Sequence, residues 1–363
     1  MKKDSGIRRF MDNIRPHFEK GGKYYWLHST YDAFDTFFSV PETLTSKGSH
    51  IRDCLDLKRL MITVVVALLP CFVASCIHYG FFKVLPLYLV TYIVGLGIEF
   101  AFAQVRGKEV SEGFLVTGMI IPMIVPITIP LWMLALAVAF AVIIGKEVFG
   151  GTGMNIWNPA LLARAFLFFA YPSHMTGNVW VPDAADAVSG ATPLMQLDGG
   201  LESLKYSLSD LFWGNIPGSV GEGCTFAILL GALILLVTGA ANYRAMFSCV
   251  LGALAVGLAA NLAAPSPESA LAVPAWYHLL MGGFAFGAVF MVTDPVTGAQ
   301  TNAGKWIYGF LVGAIAVIIR LFSPAYPEGM MIAILLMNTF APLIDHCVVA
   351  ANINKRLARS KTV

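Results

Sequence analysis

The sequence predicts an all-α polytopic membrane protein with about ten transmembrane helices in two inverted five-helix repeats. Composition, the spacing of apolar runs and an echo between the two halves predict it. Of 363 residues, 57% are hydrophobic and only 13% charged, with a mean hydropathy of +0.71. Soluble domains carry about a quarter charged residues. The remaining charges fall between apolar stretches, and about 20 apolar residues in a row let a helix cross a bilayer. A net charge of +2 carries no nucleic-acid signal.

The expected spans lie near Leu60–Tyr79, Val84–Gln104, Phe114–Thr128, Leu131–Phe149 and Pro159–Ala170, then Cys224–Tyr243, Ala245–Ala263, Trp276–Val292, Lys305–Phe322 and Gly329–Ala350. Around them the chain divides into segment 1–59, a first repeat 60–170, a loop 171–223, a second repeat 224–350 and a tail 351–363. Pro122, Pro126 and Pro130 punctuate the third span, which predicts a broken helix tolerable only where protein covers the freed backbone groups. Trp132 precedes Ala141-Val142-Ile143-Ile144, and Trp306 precedes Ala316-Val317-Ile318-Ile319 one residue further along. An odd span count per half inverts the second half, an architecture that places sites on interrupted helices near the midplane.

Lys and Arg placement sets orientation. Segment 1–59 holds eleven, and the tail adds Lys355, Arg356, Arg359 and Lys361. Arg106, Lys108, Arg244 and Lys305 fall on the same side. The loop 171–223 carries only Lys205 against Asp183, Asp186, Asp198, Glu202, Asp210 and Glu222. Both termini are therefore expected in the cytoplasm of a bacterial inner-membrane protein, with that loop periplasmic. Segment 1–59 lacks the short apolar core of a cleavable signal peptide. Phe10, Ile14, His17 and Phe18, interleaved with basic residues, suggest an amphipathic helix on the lipid surface, with a disordered tail as the alternative. The six scattered cysteines suggest neither a disulfide framework nor a metal site.

Two sets of residues could carry chemistry. In the loop, Asp186-Ala187-Val188-Ser189-Gly190-Ala191-Thr192 is a small-residue turn that displays the Thr192 hydroxyl, or else an ordinary loop. Within or beside apolar spans lie Glu99, Asp294 and Asp345, with Glu147 nearby. Carboxylates in a bilayer suggest ion or proton handling, and helix-end acids at the water interface are the plain reading. Oxygen ligands of this kind suit a hard cation such as sodium. Arg164, among apolar residues on the fifth span, either snorkels or partners a phosphate or carboxylate.

The run Asp-x-x-Ser-Gly-Ala-Thr resembles a flavinylation motif. With this span count, the chain is similar to the NqrB/RnfD family. That family contains the NqrB component of the sodium-translocating NADH:quinone reductase and the RnfD component of the Rnf ferredoxin:NAD oxidoreductase. The similarity runs through His50-Ile51-Arg52-Asp53, Gly145-Lys146-Glu147-Val148-Phe149-Gly150-Gly151-Thr152-Gly153, Asn155-Ile156-Trp157-Asn158-Pro159, Gly282-Gly283-Phe284-Ala285-Phe286-Gly287, Thr293-Asp294-Pro295 and Glu328-Gly329-Met330-Met331. The extension before the first span favours the NqrB branch. The Tyr79–Lys83 connection is shorter than in longer members.

The resemblance implies FMN joined by a phosphoester to Thr192, with Asp186, Ser189, Gly190 and Ala191 as its motif. It implies non-covalent riboflavin at Asn155 and Asn158, where a Gly-rich backbone and two amides offer donors and acceptors suited to a flavin ring. It places Glu99, Asp294, Asp345, Phe286 and Phe290 on a transient sodium pathway, and Gly95 near ubiquinone, where Leu96 departs from a family glycine. Implied partners are the other subunits of a six-subunit complex, ubiquinone, sodium, membrane lipid and a periplasmic flavin transferase, with no nucleic acid. The expected activity is sodium-transporting NADH:ubiquinone reduction. An Rnf-type subunit and a flavin-free small-solute channel are the alternatives.

Overall fold

The computed structural model describes residues 13–19, 22–28, 30–31, 57–107, 110, 113–177, 179–181, 190–266, 269–323 and 328–360. Phe10, His50 to Asp53, Asp186 and Ser189 lie outside the described residues. Among those described, the chain is helical, with only an isolated bridge between Trp180 and Gly190.

The first half comprises α1 (Leu57–Tyr79), α2 (Phe81–Arg106), α3 (Gly113–Met123), α4 (Leu131–Val142) and α5 (Pro159–Ala170). Gly80 alone, at φ 84°, joins α1 to α2. A short helix α6 (Leu208–Trp213) sits in the connecting loop. The second half holds α7 (Thr225–Thr238), α8 (Tyr243–Ala263), α9 (Tyr277–Leu280), α10 (Phe284–Phe286), α11 (Asn302–Phe322) and α12 (Met330–Ser360). Five of these helices are long and apolar enough to cross a membrane: α1, α2, α8, α11 and α12. Large apolar side chains such as Ile77, Phe82, Ile93 and Leu262 project outward from them, as a hydrocarbon surrounding requires rather than an aqueous one.

Packing repeats between the halves. In the first, α4 lies against α2 and α5; in the second, α11 lies against α8 and α12, while α1 meets α7. Small residues permit the approach. A Cβ at Gly313 would sit 1.9 Å from the Cys249 carbonyl oxygen, and one at Gly231 would sit 2.4 Å from that of Ala67.

The expected break in the third span is present. Past Met123 the backbone leaves the helix, and its freed carbonyls are taken up by the end of the connecting loop. Val220 N–H donates to Val125 at 3.1 Å and Gly221 N–H to Met123 at 2.8 Å. The eighth span breaks too, at Gly282-Gly283, where sequence suggested one continuous helix. There Arg320 of α11 donates to the carbonyls of His278 and Met281. Two π-turns follow regular helix, marked by bonds five residues back from Val148 to Ile143 and from Val292 to Gly287. The repeat's echo stops at the first of them, because Ile143-Ile144 enter the π-turn whereas Ile318-Ile319 remain α-helical.

The last helix corrects the expected tail. It runs on from Ala350 to Ser360, since neither Gly nor Pro intervenes and Lys355, Arg356 and Arg359 favour a helix C-terminus. Residues 13–18 form a helical turn whose Phe18 stacks on Tyr31 at 5.1 Å. Thr30 nearby accepts a bond from Gln104 of α2.

Candidate functional site

The C-terminal π-turn of α4 turns two consecutive charges toward α2. Lys146 pairs with Glu99, both deeply buried, and Glu147 accepts from Arg106 at 2.8 Å. From this π-turn, with its bonds five residues back, both side chains reach α2, at Glu99 and, two turns on, Arg106. The chain then passes Gly150, Gly151 and Gly153, all with positive φ, conformations that favour glycine. It re-enters helix at Asn158, whose Oδ1 accepts from the N–H groups of Ala160 and Leu161 ahead of Pro159. This is an N-cap with Pro at the first helical position.

Asn158 has a second contact: its Nδ2 donates to Asp294 Oδ2 at 3.2 Å. Asp294 follows the second π-turn, and its carboxylate also accepts from Val296 N–H at 3.0 Å and the Thr297 hydroxyl at 2.9 Å. All three donors are neutral. Lys146, Thr152, Asn155, Asn158, Phe290 and Asp294 together line one cavity of about 90 Å³ between the two halves.

Sequence-predicted residues thus separate into groups. Asn155, Asn158, Asp294 and Phe290 share the cavity, and Glu99 reaches its wall through Lys146. Phe286 is fully buried one turn before Phe290, with ring centroids 5.0 Å apart. Asp345 instead accepts from the Thr301 hydroxyl and the N–H groups of Gln300 and Thr301 at the start of α11. Gly95 lets α2 meet α3, since a Cβ there would lie 1.8 Å from the Phe114 ring.

The opposite end holds Thr192. Measured along α11, Asn302 and Arg320 are about 27 Å apart at 1.5 Å per residue. A Cβ at Gly282 would approach both Arg320 and the Leu194 side chain. Gly190 N–H donates to the Trp180 carbonyl, Gln196 donates to the Ala191 carbonyl, and Leu194 and Leu197 enter a small apolar cluster with Met281 and Val273. Thr192 itself is only 7% exposed. The expectation of a freely displayed loop hydroxyl is corrected, because its neighbours pull the segment onto that cluster.

Arg164 partners carboxylates. It donates to Glu222 at 2.8 Å, pairs with Glu328, and lies 3.4 Å from the Ser219 hydroxyl. Sequence reasoning missed Glu222, Glu328, Lys146 and Arg320 as site residues. The available signal for Lys146 was a basic residue two positions past the apolar run Ala141–Ile144.

Among the described residues, five membrane-length helices, two interrupted apolar segments and charged groups buried between them define a polytopic membrane protein built to hold charge within its helix bundle. The chain belongs to the NQR2, RnfD, RnfE family, which it matches over residues 44–354. It is 45% identical to the B subunit of the Na(+)-translocating NADH-quinone reductase of Ectopseudomonas mendocina, over 98% of this chain and 100% of that protein. Proteins of the same name from Stutzerimonas stutzeri and Chromohalobacter salexigens are 43% and 42% identical, each over 98% of this chain and over 100% and 97% of the relative. The first alignment spans 403 positions against 363 residues here, so the relative carries segments that this chain lacks.

Proposed function

We propose that this chain is the NqrB-type membrane component of a sodium-translocating NADH:ubiquinone oxidoreductase, embedded in a bacterial inner membrane with both termini cytoplasmic. Its ten spans would form two inverted five-helix halves; the shared packing order and the interrupted third span of each half support that. The observation that carries the reading is the Asn158–Asp294 bond. It joins the first half's helix cap to the second half's broken span, beside a buried ion pair and within one cavity. Relatives 41–45% identical over nearly the whole chain, all named for the Na(+)-translocating NADH-quinone reductase, favour it over an Rnf-type role.

The cavity suits an ion with a little water. At about 90 Å³ it has room for an ion with several waters. A riboflavin near Asn155 and Asn158 would lie against the outer rim, where Met154 and Ile156 are exposed, and a partner protein would complete its site.

Covalent FMN fits Thr192 in a limited sense. The backbone on both sides is pinned and Gly190 and Ala191 present no bulk, but the hydroxyl must come to the surface to be esterified by a flavin transferase. Flavins supply the redox chemistry when bound; the chain positions them. Glu99 and Asp294 would hold a cation on its way across, and Phe290 would narrow the path.

The test is the intact mass of the purified protein, produced with its flavin transferase. Wild-type protein should carry the added mass of one FMN and fluoresce in a denaturing gel. Thr192→Val should do neither. A fluorescent Thr192→Val band would overturn the attachment site.

A further inference from the structure

The buried Lys146–Glu99 pair leaves a question about the cation route. A carboxylate held inside a membrane protein without a counter-charge is strongly unfavourable. Glu99 meets that requirement with a lysine of its own chain. Lys146 is also part of the cavity wall that Asp294 and Asn158 share. Its ammonium is a monovalent cation on a flexible four-carbon stem with three donors, a point charge able to change partners without a fixed geometry. The adjacent pair differs. Arg106 grips both the Glu147 side chain and its backbone carbonyl, and Gly151 N–H donates to the Lys146 carbonyl, so the π-turn backbone is anchored while the Lys146 ammonium is held by its pair with Glu99.

We propose that Lys146 is a tethered counter-ion of the transport route, occupying Glu99 when sodium is absent and giving it up when sodium arrives. This rests on the sodium-translocating reading above. Sodium entry then exchanges one monovalent cation for another at Glu99. The carboxylate is never left bare, and the released ammonium points into a cavity already lined by the Asp294 carboxylate. Return of Lys146 to Glu99 expels the ion onward. Lys146 is therefore a positioning residue that sets sodium affinity by competition.

The experiment is a double-mutant cycle on the assembled complex. Sodium-stimulated quinone reduction is titrated with sodium chloride, with choline chloride holding ionic strength constant. Lys146→Met keeps the stem and removes the competitor, so half-saturation should fall roughly tenfold, within the range usual for two ligands coupled through one site, while kcat drops because release slows. Lys146→Arg keeps the charge, grips the carboxylate with a fork, and should raise half-saturation. Glu99→Gln should raise it as well. In the Glu99→Gln background, adding Lys146→Met should change nothing further, and this double variant removes both charges and so should assemble even if the single one does not.

Unchanged half-saturation in both lysine variants, with Glu99→Gln shifted, overturns the Lys146 role alone. A Lys146→Met shift that persists in the Glu99→Gln background also overturns it. No shift in Glu99→Gln removes Glu99 from the sodium route, and the proposal falls with it.

Discussion

Replacing Arg164 by Met tests the buried charge cluster most directly. Arg164 comes from α5 of the first half, while Glu222 and Glu328 precede α7 and α12 of the second. The guanidinium therefore binds the halves together, and Arg164 and Glu222 are only 4% and 7% exposed. Removing one partner of a buried pair costs about 3–5 kcal/mol. Here two carboxylates lose their counter-charge, and the loss is limited when one takes a proton and donates to the other. Arg164→Met should thus destabilise by about 3–5 kcal/mol. Arg164→Lys keeps the charge but loses the planar fork that serves two acceptors, and should lose about half as much. The triple variant Arg164→Met/Glu222→Gln/Glu328→Gln removes every charge and should recover most of the loss, since apolar or neutral replacements of buried ion pairs are often near neutral. Unfolding in detergent can be followed by dye labelling of the buried thiols Cys71, Cys224 and Cys249, with exposed Cys347 labelled at the start. Lys355→Met on the exposed end of α12 is the control. An Arg164→Met midpoint equal to the Lys355→Met one, or a triple variant no better than the single, would refute the reasoning.

Two further outcomes follow from single contacts. Asn158→Ala removes both the cap of α5 and a donor to Asp294, and should destabilise by about 1–3 kcal/mol; Asn158→Ser restores the cap and should recover roughly half in the same labelling assay. In the loop, the Ser207 hydroxyl and backbone N–H hold Asp210 below the usual carboxylate range. A depressed folded value means that this capping box stabilises α6 above about pH 4 and loses that contribution as pH falls through the lower value of Asp210. The protection of the amides of residues 207–213, relative to their intrinsic exchange rate at each pH, should fall on acidification in wild type and be low at all pH values in Asp210→Ala.

Legibility varied with how local the cause was. Helices were readable where an apolar run is its own evidence: α1 is already helical at Leu57, before its expected start at Leu60, and α5 matches its expected ends. The third-span break was readable because Pro122, Pro126 and Pro130 sit in it. The eighth-span break was not, because Gly282-Gly283 in an apolar run is compatible with helix, and Arg320, far along the chain, is what caps the exposed carbonyls. The π-turns have no residue signature in either place. Pairings were least legible of all. Glu99 and Lys146 are 47 residues apart, and Arg164 and Glu328 are 164 apart, so only the packed helices reveal which charges meet. The same distance explains Asp345: an acid on an apolar span is equally consistent with an ion site and with the helix-start contacts it makes at Gln300 and Thr301.

The irregular backbone and the buried charge coincide for one physical reason. A regular membrane helix satisfies its own N–H and C=O groups and offers nothing to an ion. Each interruption here releases polar groups and is stabilised by a partner distant in sequence: Val220 and Gly221 of the connecting loop at the third-span break, Asn158 of the first half at Asp294 beyond the second π-turn. Within the second half, Arg320 does the same at the eighth span. The contacts that make the breaks tolerable therefore include the Asn158–Asp294 bond between the halves. Any relative movement of the halves must exchange that bond for another of similar strength. An ion or a tethered ammonium in the cavity is suited to that exchange, because it can take over the released oxygens. If the halves move relative to one another, as the proposed transport requires, Lys146 at the cavity wall and Arg164 between the halves are better placed to report it than residues inside the regular helices.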